Sequence, residues 1–187
     1  MSVADLSWTV ETIPGNKSST IILNGTLQEV DQQLIDINPD YMDLLNKYRA
    51  SHPSMPFQDV VGAMGSMDDR RDCGYCQVCT KRWPPAGVGT TLDVIRKLDG
   101  ATSRPYMPRR SCGMVNCAGG SQAWLCNDNN EQLNLDSWSQ VARAVEDIAR
   151  QCFWLEKENE HLYPVTGGQI FEPNGWNVIV RGDSGCG

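Results

Sequence analysis

Positive charge is scarce in this chain. Its 187 residues carry 16 Lys and Arg against 23 Asp and Glu, a formal net charge of −7. A protein that neutralises nucleic-acid phosphates or adheres to an anionic membrane needs the opposite balance, so neither partner is expected. Long apolar runs are missing too: none approaches the roughly 18 residues that a bilayer-spanning helix requires. Met1-Ser-Val-Ala-Asp-Leu-Ser-Trp8 lacks the basic start and apolar core of a signal peptide. There is no internal repeat and no low-complexity tract. Histidines are only two, His52 and His161. A cysteine nucleophile would need a free thiol beside one of them, and both are expected in exposed loops. No pair of carboxylates stands out as glycosidase-like. Gly182-Asp-Ser-Gly185 has the letters of a serine-protease nucleophile loop without room for the strand that follows one. Arg181-Gly-Asp183 has those of an integrin-binding tripeptide. Both are read as coincidence, and no catalytic residue, cofactor or metal is assigned.

Cysteine, by contrast, is abundant. Eight residues, Cys73, Cys76, Cys79, Cys112, Cys117, Cys126, Cys152 and Cys186, form an even set. That favours a disulfide framework built in an oxidising compartment. Two glycosylation sequons, Asn16-Lys-Ser18 and Asn24-Gly-Thr26, agree with it. The chain is therefore read as secreted and extracellular, a mature form with an added Met, with an intracellular protein as the alternative.

The clearest element is a helix over Leu135–Cys152. Leu135, Trp138, Val141, Ala142, Val145, Ile148, Ala149 and Cys152 recur with the 3.6-residue period of one helix face. Arg143, Glu146, Asp147 and Arg150 take the other face, and Asn134 or Asp136 can cap the start. Ser121–Cys126 before it and Gly168–Phe171 after it read as strands, Pro173-Asn-Gly175 as a turn, and Trp176–Arg181 as the best strand of all. There Trp176, Val178 and Val180 share one face, and Asn177, Ile179 and Arg181 the other. Residues 112–187 thus form a β-α-β-β core whose helix covers one face of its sheet. In residues 1–49, Ser19–Leu23 is a short strand, and Thr26-Leu-Gln-Glu29 a capping box that opens a helix. Asp40–Tyr48 is a second helix, and residues 1–18 are irregular. Residues 50–111 are a cysteine- and proline-rich loop region in which only Thr91–Leu98 looks helical, with Gly100 as its stop. The expected fold is a single α+β domain: a two-layer α/β sandwich, stapled by disulfides, with the N-terminal β-α-α segment docked on it.

Cys73-Gly-Tyr-Cys76-Gln-Val-Cys79 holds two overlapping Cys-x-x-Cys pairs, a spacing that lets thiolates converge on zinc or an iron–sulfur cluster. A fourth ligand would come from Cys112, Cys117 or His52. The favoured reading is three half-cystines bonded elsewhere. Geometry constrains the bonds: if Ser121–Cys126 and Gln169–Glu172 are parallel, the helix between them runs back over about 27 Å. Cys126 at the top then lies far from Cys152, whereas a disulfide needs Cα atoms within roughly 7 Å. Cys152 is expected to bond Cys186 or Cys117, and Cys126 to reach into Cys73–Cys79.

Of six tryptophans, Trp138 belongs to the core. Trp124 and Trp176 pack there or stand on a sheet face. Trp83, before Pro84-Pro85, and Trp154 are candidates for exposure, where an aromatic can stack on a sugar or anchor a protein. With Arg181 they form the candidate binding set.

The runs Cys112-Gly-Met-Val-Asn-Cys117, Ala123-Trp-Leu-Cys-Asn-Asp-Asn129, Ile148-Ala-Arg-Gln-Cys152, Gly167-Gly-Gln-Ile-Phe171 and Gly175-Trp-Asn-Val-Ile-Val-Arg-Gly-Asp183, with Cys186, resemble fungal small secreted cysteine-rich proteins. Leu23-Asn-Gly-Thr26 and Ile37-Asn-Pro39 also look like such proteins. Some of that group are candidate plant-pathogen effectors, and part is similar to killer toxins with an α/β sandwich fold. The acidic charge departs from the more basic killer toxins, and Cys73–Cys79 lies outside the likeness. The resemblance implies a virulence or toxin-like role: a monomer that binds a protein or glycan of a host or competitor, without catalysis. The alternatives are a secreted hydrolase acting on cell-wall material and an intracellular zinc protein built on Cys73, Cys76 and Cys79.

Overall fold

The computed structural model describes residues 1–52, 77–79, 81, 83–158 and 160–186. Strands β1 (Ser2–Val3), β2 (Ser7–Glu11) and β3 (Thr20–Asn24) precede helices α1 (Leu27–Ile37) and α2 (Tyr41–Ser51). Next come β4 (Gln77–Cys79), β5 (Ala86–Gly87), α3 (Val88–Asp99), β6 (Arg104–Met107), β7 (Ser111–Ala118), β8 (Ser121–Asn127) and β9 (Leu133–Asn134). Helix α4 (Trp138–Gln151) follows. The chain then runs through β10 (Phe153–Glu158), β11 (His161–Thr166), β12 (Gly168–Glu172) and β13 (Trp176–Gly182). The class is α+β.

The strands form three sheets, ordered β1-β7-β8-β13-β12-β4, β3-β2-β6-β9 and β10-β11-β5. In the first, β13 lies between β8 and β12 and is antiparallel to both, so those two run parallel to each other. Helix α4 lies against β12 and β13. The apolar stripe seen in the sequence is its buried side: Trp138, Val141, Val145, Ile148 and Ala149 are sealed from solvent. The valine and isoleucine side chains among them contribute roughly 1.5–3 kcal/mol each when removed from water. From β13, Trp176, Val178 and Val180 are buried toward the core. Trp138 stacks on Trp8 of β2 at 3.8 Å between ring centroids, which fastens the N-terminal sheet to the helix.

Several local features follow the sequence. Thr26 and Glu29 form the capping box at the start of α1, with the Thr26 amide donating to Glu29 Oε2 at 2.7 Å. Gly175 takes a left-handed φ of +74° in the Pro173–Gly175 turn, a conformation that glycine reaches at no steric cost. Other features differ. Helix α4 begins at Trp138 with Ser137 as its cap, the Ser137 hydroxyl accepting from the Ser139 amide, rather than at Asn134 or Asp136. The reason is that Leu133–Asn134 is drawn into pairing with β6. Residues 1–18 contain β2, the central partner of β3 and β6. The described part of residues 50–111 is more ordered than a loop region, holding α3, β5 and β6. Strand β7 and the β10–β11 hairpin were also not expected.

Candidate binding face of the central sheet

All six described cysteines are paired, as Cys79–Cys152, Cys112–Cys126 and Cys117–Cys186. The partners differ from those expected. Cys152 bonds neither Cys186 nor Cys117, and Cys126 does not reach into Cys73–Cys79. The cause is β7, which runs antiparallel to β8 and so puts Cys112 directly opposite Cys126 at one end and Cys117 at the other. Cys117 then meets Cys186 beyond β13, and Cys152 at the end of α4 meets Cys79 of β4. The separation of Cys126 from Cys152 holds. Cys79 is thereby removed from any zinc or iron–sulfur set; Cys73 and Cys76 lie outside the described residues. Among the described residues no group of three or more His, Cys, Asp or Glu could hold a metal ion, and no thiol is free to act as a nucleophile.

Strand pleating sends every second side chain to the face away from α4. On β8 these are Gln122, Trp124 and Cys126, and on β13 Asn177, Ile179 and Arg181, paired in register as Cys126 with Asn177, Trp124 with Ile179, and Gln122 with Arg181. Gln122 is the hub. Its Oε1 accepts from Trp124 Nε1 at 2.9 Å and from Arg181 Nε at 2.8 Å. Its Nε2 donates to Asp183 Oδ2 at 2.8 Å. The other Asp183 oxygen accepts the Gly185 amide at 2.8 Å. The Arg181 guanidinium stands 5.5 Å from the Trp124 ring centroid, within cation–π range. Trp124 and Arg181 are both half-buried. A second relay continues along the face: Gln169 Nε2 donates to Asn177 Oδ1, and Asn177 Nδ2 to Asp128 Oδ2 at 2.7 Å. The face is thus a set of amides, one indole and one guanidinium, each held by a neighbour, around the apolar Ile179 and between two disulfides.

Of the three candidate binding residues, Arg181 belongs to this face. Trp83 is half-buried and comes close to it, because the carbonyl of Pro84 accepts the Gly182 amide at 2.6 Å. Trp154 does not belong there: it is only 6 % exposed. It sits opposite Val165 in the β10–β11 hairpin, donates to Glu156 Oε1 at 3.1 Å and has the Lys81 ammonium 5.3 Å from its ring. Its expected exposure is corrected by the inward alternation of β10. Trp124, which the sequence left between core and sheet face, is the residue that joins Arg181. The Arg181-Gly-Asp183 tripeptide is not displayed on a loop: Gly182 is buried in β13 and Asp183 is held by Gln122.

Asn16 and Asn24 are both exposed. His52 is exposed at the end of α2 and stacks on Tyr48 at 4.2 Å, while His161 is exposed in β11 rather than in a loop. Two carboxylates that the sequence did not single out also stand apart. Burial pushes Asp147 of α4 above the usual carboxylate range, Glu146 adds to the shift, and Arg150 opposes it. Burial likewise raises Glu172 of β12; the negative Asp147 adds to it and Arg143 opposes. Only the docking of α4 on β12 brings these two together, so no local signal could have found them. Elsewhere a cavity of about 70 Å³ under α1 and α2 is lined by Trp8, Leu34, Asp31, Tyr41 and Arg49. Burial and the negative Asp31 push the Tyr41 hydroxyl up to about 12. Compared with known proteins, the chain matches no family model, no curated protein and no solved structure.

Proposed function

We propose that this is a secreted fungal effector or toxin-like protein that acts by binding a host or competitor molecule, without catalysis. The observation that carries the reading is the Trp124–Arg181–Gln122–Asp183 arrangement. Trp and Arg are the side chains that most often dominate binding energy at protein interfaces. Here both are held by Gln122 on a sheet fastened by Cys112–Cys126 and Cys117–Cys186. Side chains already ordered lose little conformational freedom when a partner arrives. With a net charge of −7, the chain suits a protein partner with basic groups at the rim of the contact, because complementary charge speeds encounter and suppresses wrong partners. The disulfides are compatible with an extracellular site of action.

The test uses fluorescently labelled protein on intact plant and fungal cells, with Trp124→Ala and Arg181→Ala as variants and circular dichroism to confirm their fold. Saturable binding that each variant weakens at least about tenfold supports the proposal; one hot-spot truncation of about 1.4 kcal/mol or more gives that change. Absence of saturable binding, or binding equal in the variants, overturns it. Loss of the signal after protease treatment of the cells, and not after glycan removal, assigns a protein partner.

A second reading, a secreted hydrolase acting on cell-wall material, draws on Asp147 and Glu172. Both are raised by burial, and Glu172 also by the negative Asp147, and a carboxyl held protonated in this way is what general acid catalysis needs. Turnover of chitin, β-glucan or peptide substrates that Asp147→Asn and Glu172→Gln both abolish would favour this reading over the first.

A further inference from the structure

We propose that Asn24 is an N-glycosylation site and that its glycan covers the free edge of the N-terminal sheet. The inference rests on the secretory reading above. Strand β3 is the outer strand of the β3-β2-β6-β9 sheet, and among the described residues it pairs only with β2. An open edge of this kind is a template for pairing with another chain unless something blunts it. Its central side chain, Ile22, is 69 % exposed, so the edge is also apolar. The chain supplies neither a proline nor a charge within Thr20–Asn24 to guard it. Instead the two sequons bracket the strand, Asn16 just before it and Asn24 as its last residue.

The surroundings of Asn24 fit attachment. Its Oδ1 accepts the Ser7 hydroxyl at 2.6 Å, which fixes the amide plane, and its Nδ2 has no partner among the described residues. Asn24 forms part of the wall of an open groove of about 430 Å³ lined also by Asp5, Glu29, Gln32 and Gln33. Carboxylates and amides of that kind accept and donate to sugar hydroxyls. Asn16, in contrast, turns its Oδ1 back on its own chain, where it accepts the Ser18 amide at 3.0 Å in an exposed turn. Asn24 is therefore the site assigned, with the first sugar seated in the groove and the rest of the chain lying over β3.

The modification needs a lipid-diphosphate-linked oligosaccharide as co-reactant. The Asn24 amide nitrogen forms a bond to C1 of the first sugar as the C1–oxygen bond to the diphosphate breaks. The lipid diphosphate leaves with the electron pair, and the amide proton goes to a base of the transferase. The product is an amide that still offers Oδ1 to Ser7, so the fold keeps its hydrogen bond.

The full chain, expressed behind a cleavable secretion leader in yeast, tests this by intact mass before and after peptide N-glycosidase, for the parent and for Asn24→Gln, Asn16→Gln and Ile22→Thr. The expected result is a glycan mass that the glycosidase removes and that Asn24→Gln lacks. Enzymatic removal from folded protein is then expected to raise the associated fraction in light scattering severalfold, and Ile22→Thr to abolish that rise. Secreted, fully oxidised protein with an unmodified Asn24 overturns the proposal and leaves the secretory reading standing. An occupied Asn24 whose deglycosylation leaves the protein monomeric overturns the shielding role. Retention inside the cell with free thiols overturns the secretory reading, and the proposal with it.

Discussion

The three disulfides should not be worth the same. Cys112–Cys126 closes a separation of 14 residues, Cys79–Cys152 one of 73 and Cys117–Cys186 one of 69. Cross-linking restricts the unfolded chain in proportion to the logarithm of the closed loop, giving about 3 kcal/mol for the first bond and about 4.4 kcal/mol for each of the others. The small loop lies inside the 79–152 loop and shortens it by 14 of its 73 residues, a correction of only about 0.2 kcal/mol in the same logarithm. Packing does not separate the three, because each joins one sealed cysteine (Cys126, Cys152 or Cys186) to a more exposed one. Strands β7 and β8 are also joined along their length by an antiparallel backbone ladder, which that disulfide only supplements. The experiment is equilibrium urea unfolding of three double variants, Cys112→Ala/Cys126→Ala, Cys79→Ala/Cys152→Ala and Cys117→Ala/Cys186→Ala. With a slope of about 2 kcal/mol per molar urea, the midpoint should fall by about 1.5 M in the first and by at least about 2 M in the others. If the first variant loses as much as either of the others, loop closure does not govern what each disulfide contributes and the reasoning fails.

Three more outcomes follow from the structure. Burial raises Asp31, Asp147 and Glu172, so each disfavours the folded state when charged; this stability is fully present below the ordinary carboxylate range and is lost as pH rises through the raised values. Glu29 is shifted the other way by its bonds to Thr26, but it is exposed and screened. Scanning calorimetry should therefore give a higher Tm at pH 5 than at pH 7, and an Asp31→Asn/Asp147→Asn/Glu172→Gln variant should narrow the difference; a Tm that falls steadily below pH 7 contradicts this. Trp138 is fully buried with an indole N–H that finds no partner among the described residues. Trp138→Ala should cost about 3–5 kcal/mol, whereas Trp138→Phe, which removes an unsatisfied donor, should cost less than about 2 kcal/mol in chemical denaturation. A Cβ on Gly182 would collide with the backbone carbonyl of Pro85, while one on Gly89 at the start of α3 meets nothing within 4 Å. Gly182→Ala should lose about 1–3 kcal/mol or more and disturb Arg181, and Gly89→Ala should gain about 0.5 kcal/mol, both read from thermal melts.

What was legible in the sequence was whatever depends on neighbours along the chain. The apolar stripe of α4, the Thr26–Glu29 box and the alternation of β13 are all local. Strand β7 was illegible for a specific reason: the register shifts between Met114 and Asn116, and Val115 and Asn116 are both buried, so the two-residue alternation is broken in its middle. Its sequence, with a glycine and an asparagine, has little strand preference of its own. Without β7 no hairpin sets Cys112 against Cys126, so helix length and sheet ends alone lead Cys126 and Cys152 to the wrong partners. The β10–β11 hairpin hid behind its charges and Pro164, since most of its side chains face solvent and need no apolar pattern.

The binding face shows the same division between local pattern and register. Alternation along β13 places Arg181 on the side away from the helix, but its meeting with Trp124 through Gln122 exists only because Arg181 stands opposite Gln122. A slip of one residue would turn Arg181 toward the apolar side of α4 and strand an unpaired guanidinium there, at a cost of several kcal/mol. The residues that forbid the slip are Trp176, Val178 and Val180, all within 4 % of full burial. The geometry of the outer face is therefore enforced from the inner one. A core substitution such as Val178→Ala, which touches none of the four site residues by their hydrogen bonds, should loosen Trp124 and Arg181 together. Weaker cell binding accompanied by a flattened near-ultraviolet tryptophan signal would show that coupling. Unchanged binding at reduced stability would show the face to be set by its own hydrogen bonds instead.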